Sequence, residues 1–154
     1  MMVFAASPAM ARDALGVWDG WGAFRDPAVP RCYAIAMALD LHQKARETQG
    51  YATVGTWPKR GIHGEVHIRL SRAVQPDRPV SISLGGQKFA AIAHGFDAWT
   101  ADRRMDAAII AAMRAGGDMA ISARAHDGRT FRDSYHLSGA ASAIDAANLG
   151  CVGI

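Results

Sequence analysis

The closest grouping of metal-binding side chains in the chain is His63-Gly64-Glu65-Val66-His67. Two imidazoles four apart, with a glutamate beside the first, hold zinc when they stand on a helix, where such residues share a face. Here Glu65 stands two residues after His63, Gly64 intervenes, and the flanking residues alternate like a strand. Four strand residues span roughly 13 Å, too far for both rings to reach one ion at about 2 Å. A shared ion would require a kink at Gly64 or another partner such as His94. The expectation is exposed strand histidines and no metal. A small metal-dependent hydrolase using His63, His67 or His94 is the alternative.

Nucleophilic chemistry finds less support. No Gly-x-Ser-x-Gly elbow is present, and Cys32 has no local signature of a catalytic thiol. Gly85-Gly86 and Gly116-Gly117 lack the lysine and the strand-to-helix pattern of phosphate loops. Asp102 and Asp106 share a helix face among arginines, which suits helix-end electrostatics better than acid–base work. The sequence therefore points to no catalytic residues and no cofactor.

Cys32 and Cys151 lie near opposite ends of the chain. In a reducing compartment they would be two unrelated buried thiols. In an oxidising one they are a candidate disulfide closing a loop of about 120 residues, on the order of 4–5 kcal/mol in the chain-entropy model. Charge offers a second candidate feature. The chain carries 17 Lys+Arg against 14 Asp+Glu, a net +3. Between Trp57 and Arg78, Lys59, Arg60, Arg69, Arg72 and Arg78 face only Glu65 and Asp77, an excess equal to that net charge. Such a strip suits an anionic surface, although outward-pointing strand arginines account for it equally. No nucleic-acid module is recognisable. The aromatic residues Trp18, Trp21, Phe24 and Tyr33 read as core filling, with a sugar- or peptide-binding groove as the other reading.

The elements that must position these residues are mostly short strands. Gly16 to Phe24 reads as one strand with a bend. Arg31 to Leu39 sets large Tyr33, Ile35, Met37 and Leu39 opposite small Cys32, Ala34, Ala36 and Ala38, the pattern of a strand covered on both sides. Tyr51 to Trp57 and His63 to Arg72 follow. Val80 to Leu84 and Gln87 to Ala93 form a hairpin around Gly85-Gly86, and Phe96 to Thr100 makes a further short strand. Thr100 to Ala115 changes period to that of a helix, with Thr100 as its cap. Asp118 to Ala125 and Thr130 to Leu137 flank an Asp127-Gly128 turn, and Ser142 to Asn148 suits a short terminal helix. The sum is mainly β: an antiparallel β-sandwich with one interior α-helix and a short C-terminal helix.

A chain of 154 residues, half apolar and 20% charged, fits one domain with its own core and no repeat. No apolar run approaches the roughly 20 residues of a membrane-spanning helix. Residues 1–11 are apolar and end in Ala9-Met10-Ala11, the small-x-small form of a signal-peptidase site. They read as the remnant of a secretory signal, leaving 12–154 as the domain. Export would favour the disulfide.

Taken in order, several segments resemble the invasion-associated locus B (IalB) family of alphaproteobacterial exported proteins. They are Trp18-Asp19-Gly20-Trp21-Gly22-Ala23-Phe24, Cys32-Tyr33, the helix Asp106 to Gly116, Ser134-Tyr135-His136-Leu137-Ser138-Gly139, Ala143-Ile144-Asp145-Ala146-Ala147 and Cys151. The resemblance spans nearly the whole chain after Arg12. It implies a periplasmic, outer-membrane-associated or secreted β-sandwich, with better-known members linked to bacterial entry into host cells. Cys32 and Cys151 match the family's early and late cysteines. A further cysteine pair common in the family is absent, and His94 to Thr100 occupies that region. No catalytic residues carry over. The function implied is an exported, non-enzymatic envelope protein binding a protein or anionic envelope component through Lys59, Arg60, Arg69, Arg72 and Arg78. A structural envelope protein without a ligand is the other reading.

Overall fold

The computed structural model describes residues 12–40 and 45–154. The leader-like stretch 1–11 lies outside the described residues. The protein is mainly antiparallel β with two helices. Its strands are β1 (Asp13–Trp18), β2 (Trp21–Asp26), β3 (Arg31–Met37), β4 (Tyr51–Trp57), β5 (Ile62–Arg69), β6 (Val80–Leu84), β7 (Gln87–His94), β8 (Asp97–Trp99), β9 (Asp118–Arg124) and β10 (Thr130–His136). Helix α1 (Arg103–Arg114) joins β8 to β9, and α2 (Ala140–Gly150) closes the chain.

All pairings are antiparallel, in the order β1-β2-β3-β4-β5-β8-β7-β6-β9-β10. β7 is the hinge between two layers. Its first residues, Gln87 to Ala91, pair with β6, whereas Ile92 to His94 pair with β8. A strand that switches partners in this way turns a corner between packed layers. The layers also meet at their far ends. Leu39, just past β3, donates its N–H to Ser134 O of β10 at 2.8 Å, and Trp21 Nε1 donates to His136 O at 2.8 Å. One apolar core runs between them, containing Val54, Ile68, Ile82, Ile121 and Tyr135.

The alternation of β3 is covered on both sides at its start, where Cys32, Tyr33 and Ala34 are all buried, but the large face opens along the strand: Ile35 is half-buried and Met37 is 52% exposed, while Ala36 stays buried. The small face lies beneath α2, whose buried residues are Ala140, Ala143, Ile144 and Ala147. Methyl against methyl lets the helix sit close enough to join Cys151 to Cys32. The disulfide forms with Cα atoms 5.8 Å apart, inside the usual window.

Three local expectations are corrected. Residues 16–24 form a hairpin rather than one bent strand, because Asp19 takes a positive φ of 51° and reverses the chain before Gly20. The cap of α1 is Asp102, whose Oδ1 accepts from Met105 N at 2.9 Å. The Thr100 hydroxyl instead donates to Asp106 Oδ1 at 2.7 Å, and the same oxygen accepts from Val66 N at 3.0 Å. Asp106 is thus a buried tie between α1 and β5, not a helix-end charge.

A second buried carboxylate, Asp133, fixes β10 against the segment after β5. Its oxygens accept from Ser71 N at 2.9 Å and Ser71 Oγ at 2.5 Å. Burial raises its pKa above the ordinary 3.8, outweighing the two Ser71 hydrogen bonds that lower it. The native state then binds this proton more tightly than the unfolded chain does, so this group's contribution to stability falls as pH rises from about 4 through the native pKa. Asp133→Asn keeps an acceptor for Ser71 N and a donor for Ser71 Oγ. It is expected to remove that fall, visible as a flatter urea-midpoint profile between pH 4 and 7. Asp133→Ala strands the Ser71 amide and is expected to cost about 1–3 kcal/mol at all pH values.

Candidate functional site

With the small side chains of β3 turned inward under α2, the large ones of the neighbouring strands collect on the opposite, solvent-facing side. The strand register aligns them in cross-strand rows. One row runs Gly22, Ile35, Thr53, His67, Trp99 and Ile92. The next runs Phe24, Tyr33, Gly55 and Glu65. A third runs Met37, Tyr51, Arg69, Asp97 and His94. Residues in such rows are close enough for their side chains to touch.

The aromatic rings stack along these rows. Phe24 and Tyr33 lie with centroids 5.7 Å apart, and His67 lies between Tyr51 at 6.1 Å and Trp99 at 5.1 Å. At one end the Arg31 guanidinium sits over both the Tyr33 ring, at 4.8 Å, and the Trp57 ring, at 5.3 Å. Arg12 Nη1 donates to the Tyr33 hydroxyl at 3.1 Å. A shallow cavity of about 460 Å³ runs across this face from the two arginines to Trp99. Trp99 is 41% exposed and Ile92 63%. Met37, Trp99 and Ile92 are exposed apolar side chains on this face, and an aromatic wall with a few fixed polar groups is the usual make-up of a ligand groove.

His67 is held rather than poised. Its Nε2 lies 2.9 Å from Asp97 Oδ1, while Asp97 Oδ2 accepts from Arg69 Nη1 at 2.9 Å. An imidazole beside a carboxylate needs a nucleophile on its other side to do hydrolytic work. The neighbouring hydroxyl, Thr53 Oγ1, donates to the His67 carbonyl. Nor do the histidines gather around an ion. Gly64, at a φ of 80°, forms a bulge that shifts the β4–β5 register. The bulge turns His63 toward α1, into a different cavity from the one His67 lines. The kink that a shared ion required is present, and it sends the two rings to opposite faces of the sheet. His94 opposes Asp97, one row from His67. No group of three metal-ligating side chains occurs among the described residues.

The five cations of the basic strip are dispersed, a correction to the expectation of one contact surface. Arg72 is only 7% exposed. Its Nη2 holds Asp127 Oδ2 at 2.5 Å, and its Nε lies 3.7 Å from Glu47. The Asp127 carboxyl is kept below its ordinary value by the Arg129 backbone N–H and then by Arg72. Arg69 is committed to Asp97 and stacks over Phe96 at 4.7 Å. Lys59 and Arg60 are exposed at the β4–β5 turn, where Arg60 lies over Trp57 at 5.5 Å. Arg78 is exposed in the loop before β6. A count along the sequence could not see Asp97, Asp127 and Glu47 folding onto two of the arginines. Of the aromatic residues singled out by sequence, Trp21 is wholly buried, Tyr33 is buried at 8% exposure and Trp18 packs on the core, as core filling requires, while Phe24 is half-buried and stacks on Tyr33. Tyr51, Trp57 and Trp99 were missed. Their signal was available as the outward parity of strands whose inward parity is clear.

No family model, no curated protein and no solved structure matches the chain. The site rests on its own geometry. The dispersal of the strip yields a sharp contrast. Arg72→Ala removes a buried side chain that Asp127 and Glu47 flank and is expected to lower the urea unfolding midpoint. Lys59→Glu with Arg60→Glu is expected to change stability by less than about 0.5 kcal/mol. Equal effects from the two changes would contradict the dispersal.

Proposed function

We propose that this protein is an exported, non-enzymatic component of a bacterial cell envelope, as its likeness to the IalB proteins implies. It binds an envelope or partner component through the outer face of β2 to β5 and β8. The observation that carries export is the Cys32–Cys151 disulfide. It is buried, with Cys32 wholly inaccessible and Cys151 6% exposed, and such bonds persist in oxidising compartments. No helix among the described residues is long and apolar enough to cross a membrane.

The outer face supports binding rather than catalysis. Its rings are pre-stacked and its arginines are clamped by cation–π and hydrogen-bond contacts, so little side-chain freedom is lost when a ligand lands. Trp57 and Trp99, at opposite ends of the face, are the anchors. Lys59 and Arg60 border the Trp57 end and add a cationic rim.

Two measurements test this reading. Protein recovered from the extracytoplasmic fraction of its host is expected to gain two daltons on reduction, because the native bond is closed; a mass unchanged by reductant would remove the export argument. Purified protein is expected to co-sediment with isolated envelope fractions of that host. Trp57→Ala with Trp99→Ala is expected to lower the bound fraction more than tenfold with the circular dichroism unchanged. Binding indifferent to that double change would move the site off this face.

A further inference from the structure

On the reverse side of β4 and β5 lies a second cavity, of about 520 Å³, between the two helices. Its walls follow from the sequence of α1. Arg103, Ala107, Ala111 and Arg114 recur at intervals of four, four and three and so lie along one stripe of the helix. Alanines at the centre of that stripe leave room where bulkier residues would have met α2. Ile110 lies beside them, and Ile144 and Val152 form the facing wall. The floor is Val54 and Thr56 of β4.

The cavity's charge is one-sided. At one end Arg114 Nη2 holds Asp145 Oδ1 at 2.7 Å, an exposed bridge from α1 to α2. Arg103, at the other end of the α1 stripe, is exposed, and His63 lines the cavity further along, toward Arg114. Arg103 makes no salt bridge among the described residues, and the nearby Asp102 carboxylate is engaged as the α1 cap. Apolar walls and one cation without a carboxylate partner, Arg103, define a narrow ligand class. The volume is that of a small-molecule site. Val152, 75% exposed at the wall, is apolar surface that an apolar occupant would cover.

We propose that this cleft binds a single-chain anionic amphiphile, of which a fatty-acid anion is the simplest. Its tail lies along Ala107, Ile110 and Ala111 between the helices, and its headgroup meets Arg103. The proposal is independent of the aromatic face, which lies on the other side of the same strands. It gives the molecule two separate sites, one for the envelope component and one for a small apolar anion.

Calorimetric titration of the purified full chain with myristate, below its micelle concentration, tests it. The expected result is saturable binding of one myristate per chain, with methyl myristate, which lacks the charge, binding at least tenfold more weakly. Ala107→Trp is expected to weaken myristate at least tenfold by filling the cleft, and Arg103→Glu about tenfold by reversing the charge beside the headgroup. Residue 107 is exposed, so the tryptophan displaces no buried side chain. Ala111→Phe fills the same stripe as a second plug should the first disturb folding. Vesicles of phosphatidylglycerol provide the surface control. Absence of saturable myristate binding, an affinity indifferent to both plugs, or binding to vesicles alone would overturn the proposal.

Discussion

The structure depends on one close contact, that of α2 with the inner face of β1 to β4. Trp21 fills one end of that face. Ala23, Ala34, Ala36 and Ala52 cover the rest with single methyl groups, and α2 answers with Ala140, Ala143 and Ala147. Each such pair buries little area, about 25 cal/mol per Å² of apolar surface. Their value lies in distance, because only small residues let a helix approach so near a sheet. Gly139 at the start of α2 shows how near: a Cβ there would collide with the Trp18 carbonyl oxygen. The approach carries Cys151 to Cys32 and removes 119 residues' worth of freedom from the unfolded chain. It also dictates the other side. The period of two then sets Ile35, Met37 and Tyr51 on the outer positions of the same strands.

That arrangement explains what was and was not legible. The strands Tyr51–Trp57 and Val80–Leu84 stand where alternation and turn residues put them, and the Gly85-Gly86 hairpin takes the positive φ at both positions that its turn requires. Alternation identifies two faces but not how deeply each is covered. In β3 both were expected to be covered, and the large face opens from buried Tyr33 to exposed Met37. The helix itself was visible only as a short alanine-rich terminal segment. The sheet order was also hidden, since β6 leaves β5 to pair with β7 and β9, a long-range choice no local pattern records.

Polar residues were least legible because their meaning is relational. Asp133 reads as an ordinary strand carboxylate in sequence, yet it is 1% exposed and ties two layers through Ser71. Asp106 looks like a helix-end charge and proves to be the bond between α1 and the bulged strand β5. Arg72 reads as part of a surface strip and is a buried counter-ion. In each case the deciding partner lies tens of residues away. The two cavities share this character: one is lined by outward positions of strands, the other by a stripe of α1 whose purpose appears only when α2 is set opposite.

Native-state hydrogen exchange on the disulfide-bonded chain and on a Cys32→Ala, Cys151→Ala variant measures the dependence on α2 directly. If the close helix contact is held by the sulfur bond, amides of α2 become the first to exchange in the variant, by sub-global opening, while those of β9 and β10 still exchange only with global unfolding. Protection of α2 that stays level with β9 and β10 after the cysteines are removed would contradict the account. The alanine contact would then need no staple, and the outer face would not depend on it.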